Sequence, residues 1–234
     1  MRVRYNTSMT DQSQTYPDNG HVEPGKAAAV RTVTLPSGVD VDIHKFSVGP
    51  MDNNAYLLVQ GGEALLIDAA NDSDRIVQEV EEAGVQVVTI MTTHGHHDHW
   101  QALEAVTKAT GAEVLFHSAD ADMIPADADR HVGDGEALRF GDASVRLIHN
   151  PGHTPGSTSI LLGDTHLFSG DTLFPGGPGN TFGNDKAFAT IMDSLQQRIF
   201  GVLCDDVWVY PGHGDDTTLG AERPHLEEWR ERGW

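Results

Sequence analysis

Behind the apolar segment Val85 to Met91 the chain reads Thr93-His94-Gly95-His96-His97-Asp98-His99, with four imidazoles and a carboxylate in six consecutive residues. Imidazole nitrogens and carboxylates are the ligands that zinc and its borderline neighbours prefer. So many polar rings cannot all be satisfied inside an apolar core, and the run therefore points to metal binding. On an extended segment residues i and i+2 share a face, so His94 and His96 can close on one ion while His97 points away. Asp98 and His99 fall where the chain should turn into a helix, Trp100 to Ala109. That change of direction lets them serve a second centre nearby. The alternatives are a fortuitous histidine cluster or an expression-tag-like tract, but a tag would sit at a terminus and would not carry Gly and Asp at these positions.

Further ligand-type residues follow at three places: Pro151-Gly152-His153-Thr154-Pro155-Gly156-Ser157, Ser169-Gly170-Asp171-Thr172 and Pro211-Gly212-His213-Gly214. Each comes after a short apolar, β-branched stretch (Val145 to Ile148, His166 to Phe168, Val207 to Val209), which reads as a strand delivering one polar residue on a glycine-containing turn. Asp68 ends an earlier apolar strand, Ala64 to Ile67, in the same manner.

The elements needed to present these residues can be read around them. Strands are expected at Val39 to Phe46, Ala55 to Val59, Ala64 to Asp68 and Val87 to Met91. Ile76-Val77, Val80 and Ala83-Gly84 have the spacing of an amphipathic helix with a glycine stop, capped at Asp72-Ser73. The second half offers strands at Glu113 to Phe116, Ser144 to Ile148, Thr158 to Leu162 and His166 to Phe168. A helix near Asp185 to Phe200 and a last strand, Val207 to Tyr210, complete it. Residues 1 to 28 are polar, with little apolar periodicity, and are expected to form a flexible arm ahead of one domain at 29–234.

In its order of motifs the chain resembles the metallo-β-lactamase fold superfamily, and within it the glyoxalase II branch of thioester hydrolases. The resemblance runs from about Val33 to the C-terminus and implies a four-layer αββα sandwich of the α/β (α+β) class, with the ligand loops meeting along one edge. It further implies that His94, His96 and His153 hold one divalent metal and Asp98, His99 and His213 a second, with Asp171 bridging. Asp98 and Asp171 are the candidate catalytic carboxylates, and Asp68 supports the ligand loop. Two ions about 3.5–4 Å apart lower the pKa of a shared water toward neutrality, supplying a bridging hydroxide, and polarise a carbonyl. Zinc is the first choice of metal, with iron or manganese also compatible with a His/Asp set.

Thiolates leave readily, so a thioester suits a site with no obvious general acid. The loop after Asp171, Thr172 to Phe182, lacks the Lys or Tyr with which glyoxalase II enzymes help hold glutathione. Asn180, Lys186 and Arg223 are the candidate substrate contacts, and a different thiol carrier is open. The competing resemblance is to persulfide dioxygenases, which use one iron at the positions of His94, His153 and Asp171. Lactone or other ester hydrolysis also fits the fold. A β-lactamase fits less well, because Asp171 stands where the commonest ones use Cys. A scaffold role would predict lost ligands, and all seven are present.

With 15 Lys plus Arg against 35 Asp plus Glu the net charge is −20, and no basic cluster offers a nucleic-acid footprint. A small-molecule substrate is the expected partner. No window is apolar enough to span a membrane, and residues 1 to 25 lack an apolar signal core, so cytoplasmic residence is expected. The single Cys204 precludes an intramolecular disulfide and is expected to be buried and inert. His21, His44, His131, His149 and His166 read as hydrogen-bonded or exposed side chains, and His117 as a second layer of support behind the ligands.

Overall fold

The computed structural model describes residues 14–233. One sheet contains β1 (Gln14–Thr15), β2 (Ala29–Thr34), β3 (Asp40–Val48), β4 (Asn53–Gln60), β5 (Glu63–Ile67), β6 (Gln86–Met91), β7 (Glu113–His117) and β8 (Arg130–Val132), in that order across the sheet. Pairing is antiparallel from β2 to β5 and parallel from β5 to β8. A second sheet is formed by β9 (Ala137–Phe140), β10 (Ala143–His149), β11 (Thr158–Leu162) and β12 (His166–Gly170). The small hairpin β13 (Leu173–Phe174) and β14 (Gly177–Pro178) leads away from it. β15 (Trp208–Pro211) then joins beside β12, with β16 (Thr217–Thr218) outside.

Alternation along the strands builds the layers. Tyr56, Leu58, Leu65, Ile67 and Met91 face the second sheet, where Phe140, Leu147, Ile160, Leu162, Phe168 and Tyr210 meet them in one inner core. Leu57, Leu66 and Ile90 point the other way, beneath α1 (Ser73–Ala83) and α2 (Leu103–Thr110), which contribute Ile76, Val80, Leu103 and Val106. Leu161, Leu167 and Val209 do the same on the far side, beneath α3 (Asp185–Ser194) with Ile191 and Met192. Trp229 of α5 (Leu226–Arg232), which follows the short α4 (Leu219–Glu222), closes that layer. Helix, sheet, sheet, helix is the αββα sandwich that the family resemblance implies.

Three expectations are corrected. The helix over Asp185 to Phe200 is not uniform, since α3 passes into a π-helical turn at Leu195–Phe200. Beyond it Gly201 to Cys204 form a solvent-facing turn, and Cys204 is exposed. The helical run ends at its cap Gly201, so Val202 and Cys204 fall on the exposed turn. The third concerns the expected arm, of which residues 1–13 lie outside the described part. From residue 14 the chain is fastened to the body. β1 pairs with β2, Val22 and Ala28 are buried, and the Tyr16 hydroxyl donates to Asp216 Oδ2 at 2.6 Å. The reason is a carboxylate that folding removes from water: Asp216 also accepts from Lys45 Nζ at 2.7 Å and Trp208 Nε1 at 2.9 Å. A buried charge needs such donors, and Tyr16 is one of them.

Candidate metal centre

Four strand ends converge on one edge of the sandwich. β6 delivers the loop of His94 and His96 and the 3₁₀ turn His97–His99, while β10, β12 and β15 lead to His153, Asp171 and His213. The two sheets are tied together here, with Thr158 N donating to Thr93 O at 2.9 Å and Asn54 N to Gly212 O at 2.8 Å.

Three groups of potential ligand atoms, each within 4.8 Å of one another, result: His94, His96 and His153; His94, His99 and Asp171; and Asp98, His99 and His213. Nδ1 of His96 lies 2.8 Å from Nε2 of His153. His213 Nε2 lies 3.2 Å from Asp98 Oδ2. Asp171 stands between the groups, its carboxylate oxygens 3.4 Å from His99 Nε2, 3.5 Å from His153 Nε2 and 3.6 Å from His213 Nε2. His97 is exposed and sits edge-on to Trp100, outside all three groups.

The opposite ring nitrogens are committed elsewhere, which fixes how the rings face. His99 Nδ1 meets Asp68 Oδ2 at 2.9 Å, while His153 Nδ1 donates to Asn180 O at 2.8 Å and His213 Nδ1 to Met51 O at 2.9 Å. A carbonyl can only accept, so in the neutral rings of His153 and His213 it is Nε2 that carries the lone pair inward. Asp68 also accepts from Thr93 N at 2.7 Å and Thr93 Oγ1 at 2.8 Å, holding the start of the loop.

Burial, and next the nearby His99, push the His94 pKa well below its usual value, so the ring is neutral and able to ligate. Burial also acts to lower the His213 pKa, but contacts with Asp171 and Asp98 outweigh it and raise it to about 10. The hydrogen bond with His213 holds the Asp98 carboxyl below the ordinary carboxylate range, against its partial burial. The donor set fits divalent cations on one further observation. His94 Nε2 and Asp171 Oδ1 are buried without a hydrogen-bond partner, a costly state that a cation would relieve.

Several residues behind the ligands carry no sequence signal that marks them. Asn53, 1 % exposed, donates through Nδ2 to both the carbonyl and Oδ2 of Asp98 at 3.0 Å. A polar Asn53-Asn54 pair opening an apolar strand was the one available hint. Asp120 accepts from the Gly95 backbone and from the His153 loop. His117, expected behind the ligands, instead stacks on His149 at 4.0 Å and accepts from Ala119 N. His44, His131, His166 and His225 each have a hydrogen-bond partner outside the ligand groups.

The candidate substrate contacts separate. Asn180 lies beside the centre through its carbonyl and lines a cavity of about 450 Å³ with Thr181, Asn184 and Phe188. Lys186 is exposed in the first turn of α3 and does not line that cavity. Arg223 is turned away, bonded to Asp205 and to the carbonyls of Phe200 and Leu203, where it closes the turn after α3. Phe182, which no expectation singled out, is 73 % exposed and edge-on to His96 at 5.7 Å.

The model of the metallo-β-lactamase superfamily matches residues 48–213, well over half the chain. The chain belongs to this superfamily, and with it to a family of metallo-hydrolases. Over 201 residues it is 32 % identical to the probable metallo-hydrolase YqgX of Bacillus subtilis, covering 76 % of this chain and 93 % of that protein. A hydroxyacylglutathione hydrolase of Anaeromyxobacter dehalogenans is 38 % identical over 166 residues, 69 % of this chain, and the match spans only 61 % of that protein. Among solved structures, the BLEG-1 B3 metallo-β-lactamase superposes with a TM-score of 0.72 at 27 % identity, over 79 % of this chain and 97 % of the other. ETHE1 from Myxococcus xanthus gives 0.71 at 30 % identity, over 79 % and 82 %. No helix among the described residues is long and apolar enough to cross a membrane.

Proposed function

We propose that this chain is a two-metal thioester hydrolase of the glyoxalase II type. His94, His96 and His153 would hold one divalent cation and Asp98, His99 and His213 the other, with Asp171 between them. The observation that carries this reading is the position of Asp171, within reach of His99, His153 and His213 at once and grouped with His94. Ions at these positions would supply an activated water at neutral pH and Lewis-acid polarisation of a carbonyl. The chain's own residues do the rest. Asp68, Asn180 O and Met51 O fix the imidazole tautomers, and Asn53 orients the Asp98 carboxylate. Asp98 and Asp171 bring negative charge to offset the cations. Phe182 offers an apolar face above His96 and His153 for the acyl or thiol part of a substrate. A thiolate leaving group asks little of a general acid, and that agrees with a centre whose acidic groups are already occupied by histidines.

The likeness to a hydroxyacylglutathione hydrolase supports the thioester, whereas Asn180 brings no positive charge toward the carboxylates of glutathione. A neutral or smaller thiol carrier is the substrate we favour, and zinc is the metal, with iron or manganese as the other compatible choices. The ETHE1 likeness raises a single-iron oxygenase reading. That alternative leaves Asp98 and His213 without a role, although both are held in place by named partners.

Metal analysis and a substrate panel on one preparation test the reading. Zinc-loaded protein should contain two equivalents per chain and hydrolyse thioesters without taking up oxygen. One equivalent of iron, with oxygen consumption on a persulfide and no thioesterase activity, would overturn it.

A further inference from the structure

Asp120 lies on the 3₁₀ turn Ser118–Met123 after β7, on neither of the ligand loops, and is 1 % exposed. Its two oxygens receive three hydrogen bonds. Oδ2 accepts from Gly95 N at 2.7 Å and Thr154 Oγ1 at 2.6 Å, and Oδ1 accepts from Gly156 N at 2.6 Å. Gly95 lies between His94 and His96, and Thr154 follows His153. One carboxylate thus joins the two loops that bring together the first group of ligand atoms. The approach is close: a Cβ at Gly156 would fall 2.6 Å from Asp120 Cγ.

Among the described residues no cationic side chain is hydrogen-bonded to Asp120, so the energy of these contacts comes from charge-assisted bonds to groups on the two loops. The second candidate cation would rest on Asp98, His99 and His213, whose supports are Asp68, Asn53 and Met51 O, and none of Asp120's bonds reaches them. We infer that Asp120 is a positioning residue that sets the spacing between the His94-Gly95-His96 loop and His153, and thereby the affinity of that one metal position alone. The inference rests on the ligand assignment proposed above. Asparagine in its place would keep the size but turn an N–H₂ group toward donors, breaking at least one of the three bonds and setting donor against donor.

The experiment is zinc titration of chelator-stripped protein, resolved into two stepwise dissociation constants, for the wild type, Asp120→Asn, Thr154→Val and Thr154→Ser. Asp120→Asn should weaken one zinc by about tenfold or more and leave the other within about threefold. Thr154→Val should reproduce part of that loss and Thr154→Ser restore it, which keeps the test open if Asp120→Asn does not fold. Ligand geometry in the cobalt-substituted proteins, read from the visible spectrum, should change at one of two sites. Equal weakening of both zincs, or no weakening in Asp120→Asn and Thr154→Val, would overturn the inference. A wild-type chain that binds no zinc would instead overturn the ligand assignment itself, and the two failures are distinct.

Discussion

The side chain of His153 is held by the backbone of Asn180, its Nδ1 donating to the Asn180 carbonyl at 2.8 Å across 27 residues of sequence. The loop after Asp171 therefore supports a candidate metal ligand through its main chain. Its Asn180 side chain makes a local bond, accepting from Phe182 N.

This predicts a sharp contrast between neighbours. Asn180→Ala keeps the carbonyl and should leave metal content unchanged and kcat within about threefold. Gly179→Ala should lose metal, because a Cβ there would lie 1.8 Å from the Asp171 carbonyl oxygen and 3.1 Å from His153 Nδ1. Elemental analysis beside initial rates checks both variants. Metal loss in Asn180→Ala would show that its side chain does more than the structure indicates.

Asp171→Ala should abolish activity, by on the order of a thousandfold, and weaken both metals. Removing the carboxylate between the two ligand sets would leave the two proposed cations facing one another with less compensating charge. His97→Ala, at an exposed ring outside the ligand groups, should keep both metals. Equal metal loss in the two variants would contradict the arrangement within the His-rich motif.

Arg223 was a candidate for binding substrate, and its bonds to Asp205 and two carbonyls change the expected phenotype. Arg223→Ala should lower unfolding free energy by about 1–3 kcal/mol, as loss of charge-assisted bonds to carbonyls does, with KM unaltered. A denaturant titration together with KM on one preparation separates these outcomes.

His166 gives a pH dependence away from the centre. Burial, and then the charge of Arg31, push its pKa down to about 4 in the folded chain. The unfolded chain takes up this proton first, near pH 6.5. The contribution to stability is thus full above that pH and is lost as pH falls from 6.5 toward 4. His166→Gln should flatten this part of the stability profile of metal-free protein, measured by denaturant unfolding at pH 7, 5.5 and 4.5. An unchanged slope would mean that other groups take up the proton.

Phe182→Ala should raise KM for thioesters with apolar acyl groups by about threefold to tenfold while leaving metal content alone, since the ring faces His96 and His153 without ligating. A fall in kcat at unchanged KM would place the ring in the chemical step instead.

The sequence by itself determined nine of the strands and the identity of the candidate ligands, while the order of the layers came from the family resemblance. The strands and ligands depend on residue type and short spacing: alternating apolar residues make strands, and His or Asp on glycine-bearing strand ends is chemically marked. The tertiary structure alone decided what stands behind them. Asn180 O and Met51 O act through carbonyls that every residue possesses, and Asp120 is one of 35 acidic residues with nothing local to distinguish it. Arg223 and Tyr16 show the same limit from the other side. A lone arginine or tyrosine in a polar stretch carries no mark of its partner, and only long-range packing set Arg223 against the turn after α3 and Tyr16 against the buried Asp216.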